Sequence, residues 1–301
     1  MFKNVVVGID DDDGGRDAIA LAKMLAAGGG QLTLVQVYQG DSAVSRRTNP
    51  NYEEWQHDRI RELLEKRRAE TGVEAELRWY GSPAVGRGLH ELAELNAADL
   101  LVIGSSRRGL LGRVLIGDDT RAALNGAPCA VAIAPAGYSR QPTVMREVGV
   151  GYDGSPESNR ALELARVIAA EHHTKLSAFQ AISTSASLYL GHLDTAAPVE
   201  LAAVHRDVDE ARERIAALGG VEPHAAYGDP VEELTLYSAS LDLLVVGSRG
   251  YGPLGRLVYG GVAQRLARTA RCPLLVLTRS ARTPADEALA EGGRATATSA
   301  N

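Results

Sequence analysis

Three separated blocks of this 301-residue sequence recur at one spacing. VVVGID (5–10) returns as VGVGYD (148–153), DLLVIGSSRRG (99–109) as DLLVVGSRGYG (242–252), and APCAVAIA (127–134) as ARCPLLVL (270–277). Each pair is displaced by 143 residues. A common shift across distant blocks means a duplicated unit, joined within PAGYSRQPTVMRE (135–147). The length agrees, being too great for one ordinary domain and sufficient for two. A fourth echo, YGSP (80–83) and YGDP (227–230), is displaced by 147. The four-residue difference is about one helical turn, so one helix of the first copy is expected to be a turn longer. The expected domains are 1–138 and 145–281, with the small, polar segment 282–301 as a flexible tail.

Within each copy, strand and helix alternate. In the second, EVGVGYD reads as a strand, and SPESNRALELARVIAAEH as a helix with Ser155 at the N-cap and Pro156 in the first helical position. Ala161, Leu164, Ala165 and Ile168 recur at helical spacing. KLSAFQAI, EPHAAYG, LDLLVVG and PLLVLT supply four further strands, with helices between them. That alternation predicts a parallel sheet covered on both faces, and right-handed crossovers make it doubly wound. The fold class is therefore α/β, as two repeated doubly wound domains.

Charge and composition remove several functions. The net charge is −6 and no basic stripe appears, so nucleic acid is not an expected partner. No window approaches 18 consecutive apolar residues, so no membrane span is expected. The amino-terminal MFKNVVVGID has the pattern of a first strand, not of an export signal. Cys129 and Cys272 lie far apart, at equivalent points before the fifth strand, and read as small buried hydrophobes. A cytoplasmic protein with reduced thiols is the expectation.

The stretch GSRGYGPLGRLVYGG (247–261) holds six glycines in fifteen positions directly after a core strand. Doubly wound sheets bind ligands at the carboxyl ends of their strands. Helix N-termini add unpaired N–H groups and partial positive charge. Glycines there let main-chain amides approach a bulky anion, which makes the stretch a candidate phosphate cradle. It lacks the Gly-Lys-Ser/Thr of a P-loop, and GYDGSPES lacks the glycines of a dinucleotide fingerprint.

Gly-x2-Gly-x9-Gly at this junction resembles the ATP-binding motif of the universal stress protein family. So do the V-G-x-D-G-S first strand, the G-x-P before the third helix and the A-x-C-P-x-L-V-L fifth strand. The resemblance covers nearly the whole chain, twice. It implies five-stranded sheets in the order 3-2-1-4-5, ATP as ligand with Mg²⁺ able to enter on its phosphates, and a role in stress tolerance or regulation. It also implies pairing through fifth-strand edges, here Ala130–Ala134 and Leu274–Thr278, between the repeats or in a homodimer. Carried over by position, Tyr152, Asp153 and Ala181 would face the nucleoside. Gly247, Ser248, Arg249, Gly250, Gly260, Gly261 and Val262 would surround the phosphates. The family's Ser or Thr after the last glycine is Gly261 here, which removes one hydroxyl but keeps the amide.

The first copy departs further, with Arg107 at the second motif glycine and Asp118 at the Ser/Thr position. An N-cap aspartate satisfies the helix amides itself and opposes phosphate. Ile9, Asp10, Val37, Gly104 and Gly117 would be the surviving contacts. Asp10–Asp13 cannot all face one ion and read as a loop, and the seven histidines show no zinc spacing, so no metal ligands are assigned. The loops 44–58 and 183–198 follow the second strands and are expected to cover a nucleotide. No nucleophile–base pair and no phosphate-clamping lysine appears, so a non-enzymatic nucleotide-binding protein is the leading reading. An interaction module with empty pockets and a slow nucleotide hydrolase are the alternatives.

Overall fold

The computed structural model describes residues 1–10, 14–38, 52–105, 122–141, 144–183, 197–248 and 261–281. Packing divides the chain into two units. One is Met1–Thr143, joined by the segment that begins at Leu275; the other runs from Val144.

In the first unit, β1 (Phe2–Gly8), α1 (Gly14–Leu25), β2 (Ala26–Tyr38), α2 (Tyr52–Thr71), β3 (Glu76–Gly81), α3 (Val85–Leu95), β4 (Leu100–Gly104) and β5 (Ala130–Ala134) follow one another. The strand order is β3-β2-β1-β4-β5, and the pairings are parallel. Val5, Val6 and Val7 of β1 and Leu100, Leu101 and Val102 of β4 are buried. Covered on both faces, these strands read as continuous apolar runs. Each fully buried leucine contributes roughly 1.5–3 kcal/mol.

The second unit carries β6 (Glu147–Gly151), α4 (Pro156–Glu171), β7 (Lys175–Ile182), α5 (Ala197–Ala216), β8 (Glu222–Tyr227), α6 (Pro230–Tyr237), β9 (Leu243–Gly247) and α7 (Val262–Thr269). The second repeat ends in β10 (Leu274–Leu277), whose residues from Leu275 are counted with the first unit. The order is β8-β7-β6-β9-β10, parallel where β6, β7, β8 and β9 meet. Both repeats thus have the expected 3-2-1-4-5 order. The helix α4 starts as expected, with Ser155 Oγ accepting from the Ser158 amide at 3.2 Å and Pro156 in the first turn. Its Ala161, Leu164, Ala165 and Ile168 are buried. The extra turn of the first copy is α3, 11 residues long against 8 in α6.

Successive strand residues point to opposite faces, and that places the helices. A side chain on Gly151 would meet Val246 and Leu234 of α6, whereas one on Gly247 would meet the first turn of α4. The same split holds in the first unit, where Gly8 faces Leu89 of α3 and Gly104 faces Gly14 of α1.

A buried carboxylate holds the segment leaving the first repeat. Asp17 of α1 accepts from the Gly137 amide at 2.7 Å, the Ser139 amide at 2.8 Å and the Ser139 hydroxyl at 2.6 Å. Cys129 and Cys272 are buried and unpaired as disulfides. Burial and then Asp99 push the Cys129 thiol up to about 12. Burial moves Cys272 the same way.

Candidate functional site

At the carboxyl ends of the second sheet, the chain leaving β6 turns directly into α4. The Asp153 carboxylate accepts from the Ser155 amide at 2.9 Å, and Gly154 between them takes a φ of 78°. An aspartate turn of this kind sets up a helix start. Tyr152 continues the strand ladder, its amide donating to Phe179 O at 2.9 Å. Its hydroxyl donates to Asn159 on α4 at 2.9 Å. Ala181 lies half-buried on β7, opposite Ala226 of β8, and its small side chain keeps that stretch low.

Gly247 and Gly261 are glycines for different reasons. A Cβ on Gly247 would stand 2.5 Å from the carbonyl oxygen of Glu157 and 2.6 Å from its carbonyl carbon. The helix α4 therefore occupies that space, and the missing side chain serves close approach of helix to strand. Gly104 does the same in the first repeat, against the carbonyl of Gly14. By contrast, a Cβ on Gly261 would meet nothing within 4 Å among the described residues. Its φ of −58° and ψ of 147° suit any residue.

Gly261 is the N-cap of α7, and among the described residues no side chain caps this helix. The Gln264 and Arg265 amides donate to Gly261 O at 3.0 and 3.2 Å. The preceding amides of Val262 and Ala263 belong to the first turn, where a helix has no internal partners to offer. The neighbouring helix shows the alternative: Asp229 caps α6 by accepting from Val231 at 2.9 Å and Glu232 at 3.1 Å. Burial opposes ionisation of Asp229, but those amides and Arg265 outweigh it and hold the carboxyl below its usual range. Arg265 reaches Asp229 at 3.4 Å, linking the two helix starts. A first turn without a side-chain cap among the described residues, at the positive end of a helix dipole, suits a phosphate group.

The first repeat is arranged differently. Ile9 is buried, its amide donating to Val35 O at 2.8 Å. The Asp10 carboxylate oxygens stand 3.5 and 3.6 Å from where a Cβ of Gly14 would lie, over the start of α1. Val37 packs toward α3, where a side chain on Gly88 would clash with its Cγ1 at 2.5 Å. Ser105, the residue after Gly104, went unnamed in the sequence reading. It is 1% exposed, and its hydroxyl has no hydrogen-bond partner among the described residues. The repeat itself carried the signal, since Ser105 is the counterpart of Ser248. Arg249, Gly250, Gly260, Gly117, Arg107 and Asp118 lie outside the described residues, as do the tail from 282 and most of both covering loops. Within the first of those loops, the part from Tyr52 is the start of α2.

The family model for the universal stress protein family matches residues 1–135 and again 145–278. The chain belongs to the universal stress protein family. A universal stress protein of Mycobacterium tuberculosis is 32% identical over 193 residues, 62% of this chain and 63% of the relative. The match thus spans less than two thirds of that relative. A single-repeat universal stress protein of Thermus aquaticus is 30% identical over 142 residues, 44% of this chain and 99% of the relative. Among solved structures, a universal stress protein from Archaeoglobus fulgidus superposes with a TM-score of 0.65 at 18% identity, covering 92% of this chain and 99% of that one. One from Pseudomonas aeruginosa gives a TM-score of 0.61 at 18% identity, covering 96% of each. These two carry the universal stress protein fold across both repeats. Among the described residues no helix is long and apolar enough to cross a membrane.

Proposed function

We propose that this universal stress protein is a cytoplasmic, ATP-binding regulator of stress tolerance that works by binding and not by catalysis. The nucleotide sits at the carboxyl edge of the second sheet, phosphates on the glycine stretch and the start of α7. The observation that carries this reading is the first turn of α7, which no side chain caps among the described residues and which starts at a glycine. Main-chain amides there would take phosphate oxygens. Mg²⁺ would enter on the phosphates, since that ion leans on substrate oxygens. Tyr152, Asp153 and Ala181 frame the nucleoside side. The hydroxyl of Tyr152 and the carboxylate of Asp153 already serve α4, so they act as fixed walls. The same reading keeps pairing of the Ala130–Ala134 and Leu274–Thr278 edges. Thr278, counted with the first unit, donates to Cys129 O at 2.9 Å in support.

The test is calorimetric titration of ATP, AMP and cyclic AMP into the full chain and into Gly261→Asp, which copies Asp118 of the first repeat. An aspartate N-cap satisfies the free amides and repels phosphate. One ATP bound by the native chain and none by the variant is the expected result. Equal binding by both would remove α7 from the site.

A second reading, an interaction module that holds no nucleotide, has one specific observation in its favour. Gly247 and Gly104 are required by helix packing alone, so the first motif glycine would persist without a ligand. Mass spectrometry of gently purified protein separates the two: co-purified nucleotide supports the first reading, an empty protein the second.

A further inference from the structure

At the opposite, amino-terminal edge of the second sheet, three metal-ligating side chains converge from two strands. Glu147 opens β6, Glu222 opens β8, and His224 follows on the same face of β8. One ligand atom from each lies within 4.8 Å of the other two. His224 Nε2 and Glu222 Oε1 are 3.6 Å apart, close to the ~3.4 Å edge of a tetrahedron of ligands about 2.1 Å from zinc. Five or six strand residues, roughly 17–20 Å, separate this edge from the nucleotide end.

The surroundings hold one of these ligands in place. Ser177 of β7, fully buried between the two strands, donates its hydroxyl to Glu147 Oε1 at 3.0 Å. The Ser177 oxygen lies 2.6 Å from the Tyr237 hydroxyl. Ser177 has one proton and gives it to Glu147, so Tyr237 is the donor in that second bond. Gly149 makes room for the ring: a Cβ there would stand 2.7 Å from the Tyr237 hydroxyl oxygen. Burial, and beyond it the charges of Glu147 and Glu222, push the Tyr237 phenol up despite the Ser177 bond. Hydrogen-bonded carboxylate ligands of this kind are usual around metals.

The first repeat is the internal comparison. By strand register, Asn4 stands where Glu147 does, Glu76 where Glu222 does, and Arg78 where His224 does. There the Arg78 guanidinium meets Glu76 at 2.9 Å, a cation supplied by the chain itself. The second repeat exchanges the arginine for an imidazole and adds a carboxylate, so the same place has two acidic groups and no built-in guanidinium. We propose that Glu147, Glu222 and His224 bind one divalent transition-metal cation of the zinc class, which ties β6 to β8 across β7. One imidazole with two carboxylates suits such ions better than Mg²⁺ or Ca²⁺, which take oxygen alone.

The experiment titrates Zn²⁺ into the full chain by calorimetry with Mg²⁺ in excess, and follows thermal unfolding in parallel. The native chain should bind one equivalent at this site and unfold at higher temperature with Zn²⁺ present. Ser177→Ala should weaken binding about 10–100-fold, the usual cost of losing a ligand's support. His224→Arg, which copies the first repeat, should abolish the site while keeping a cooperative melt. No bound zinc in the native chain overturns the proposal. So does binding that is unchanged in both His224→Arg and Glu147→Gln.

Discussion

Substituting Gly261 by serine and Gly247 by alanine should move stability in opposite directions. At Gly261 the backbone already has φ −58° and ψ 147°, and a Cβ touches nothing within 4 Å among the described residues. Replacing a glycine at a compatible position narrows the unfolded ensemble and gains about 0.4–1 kcal/mol. A serine N-cap adds a few tenths. The sum is about 1 kcal/mol, or roughly 2–4 °C in a unit of this size. Serine also restores a hydroxyl beside the proposed phosphates. One neutral hydrogen bond is worth about 0.5–1.5 kcal/mol, a roughly 2- to 12-fold gain in ATP affinity. At Gly247 the new Cβ lies 2.5 Å from Glu157 O, about 1 Å inside ordinary contact. Backbone meets backbone there, so α4 must shift, at a cost of about 1–3 kcal/mol. Urea unfolding gives the stabilities and calorimetry the affinities. A neutral Gly247→Ala together with a destabilising Gly261→Ser would refute the assignment of one glycine to packing and the other to open space. A stabilised Gly261→Ser with unchanged ATP affinity would leave the packing argument standing and remove the hydroxyl from the ligand's reach.

Two further outcomes follow from buried groups. Asp17→Ala strands three donors at Gly137 and Ser139 and should cost about 3 kcal/mol, since bonds to a charged group are worth roughly 1.5–3 kcal/mol each and do not add fully; an unfolding midpoint unmoved in urea would show that this tie carries nothing. Cys129 and Cys272, buried and with thiols raised above their ordinary range, should leave a colorimetric disulfide reagent unreacted in the native protein and react as two equivalents after unfolding, so rapid labelling of either in the native state would contradict the burial.

The fold was legible because the repeat and the apolar strands state it redundantly. DLLVIG and DLLVVG lie in the sheet centre of their units with residues such as Leu101 and Leu244 fully buried, and parallel interior strands leave no polar face to confuse the reading. Ser155 and Pro156 start α4 as written, since a cap acts over three residues and needs no tertiary knowledge. Why each candidate glycine lacks a side chain was not legible. A glycine in a sequence records only that a Cβ is absent. Whether a carbonyl of the next helix or a ligand fills the space depends on an approach that only the folded chain reveals, and at Gly247 it is Glu157. Glu147 and His224 stand 77 positions apart in the chain, so no local spacing could announce them as neighbours. Asp17 is a first-turn acid of α1 whose partners, Gly137 and Ser139, lie far along the chain.

The two repeats share a scaffold and differ in how they settle charge. In the first, Glu76 is answered by Arg78, a side-chain solution, permanent once the chain folds, and the sequence has an aspartate, Asp118, at the counterpart of Gly261. In the second, the corresponding positions are His224 and Gly261, an imidazole and no side chain at all. A copy without a ligand can close sheet-edge polar groups with its own side chains, as Glu76 and Arg78 do, although Ser105 of the first repeat has no partner among the described residues. Leaving them open costs stability unless something else arrives. The second repeat keeps both openings, one at each end of the same sheet, and the uncapped α7 and the Glu147–Glu222–His224 group ask for opposite charges. With both proposed ligands bound, ligand-dependent stability belongs to the second repeat, where α7 has no side-chain cap among the described residues and Glu147, Glu222 and His224 converge.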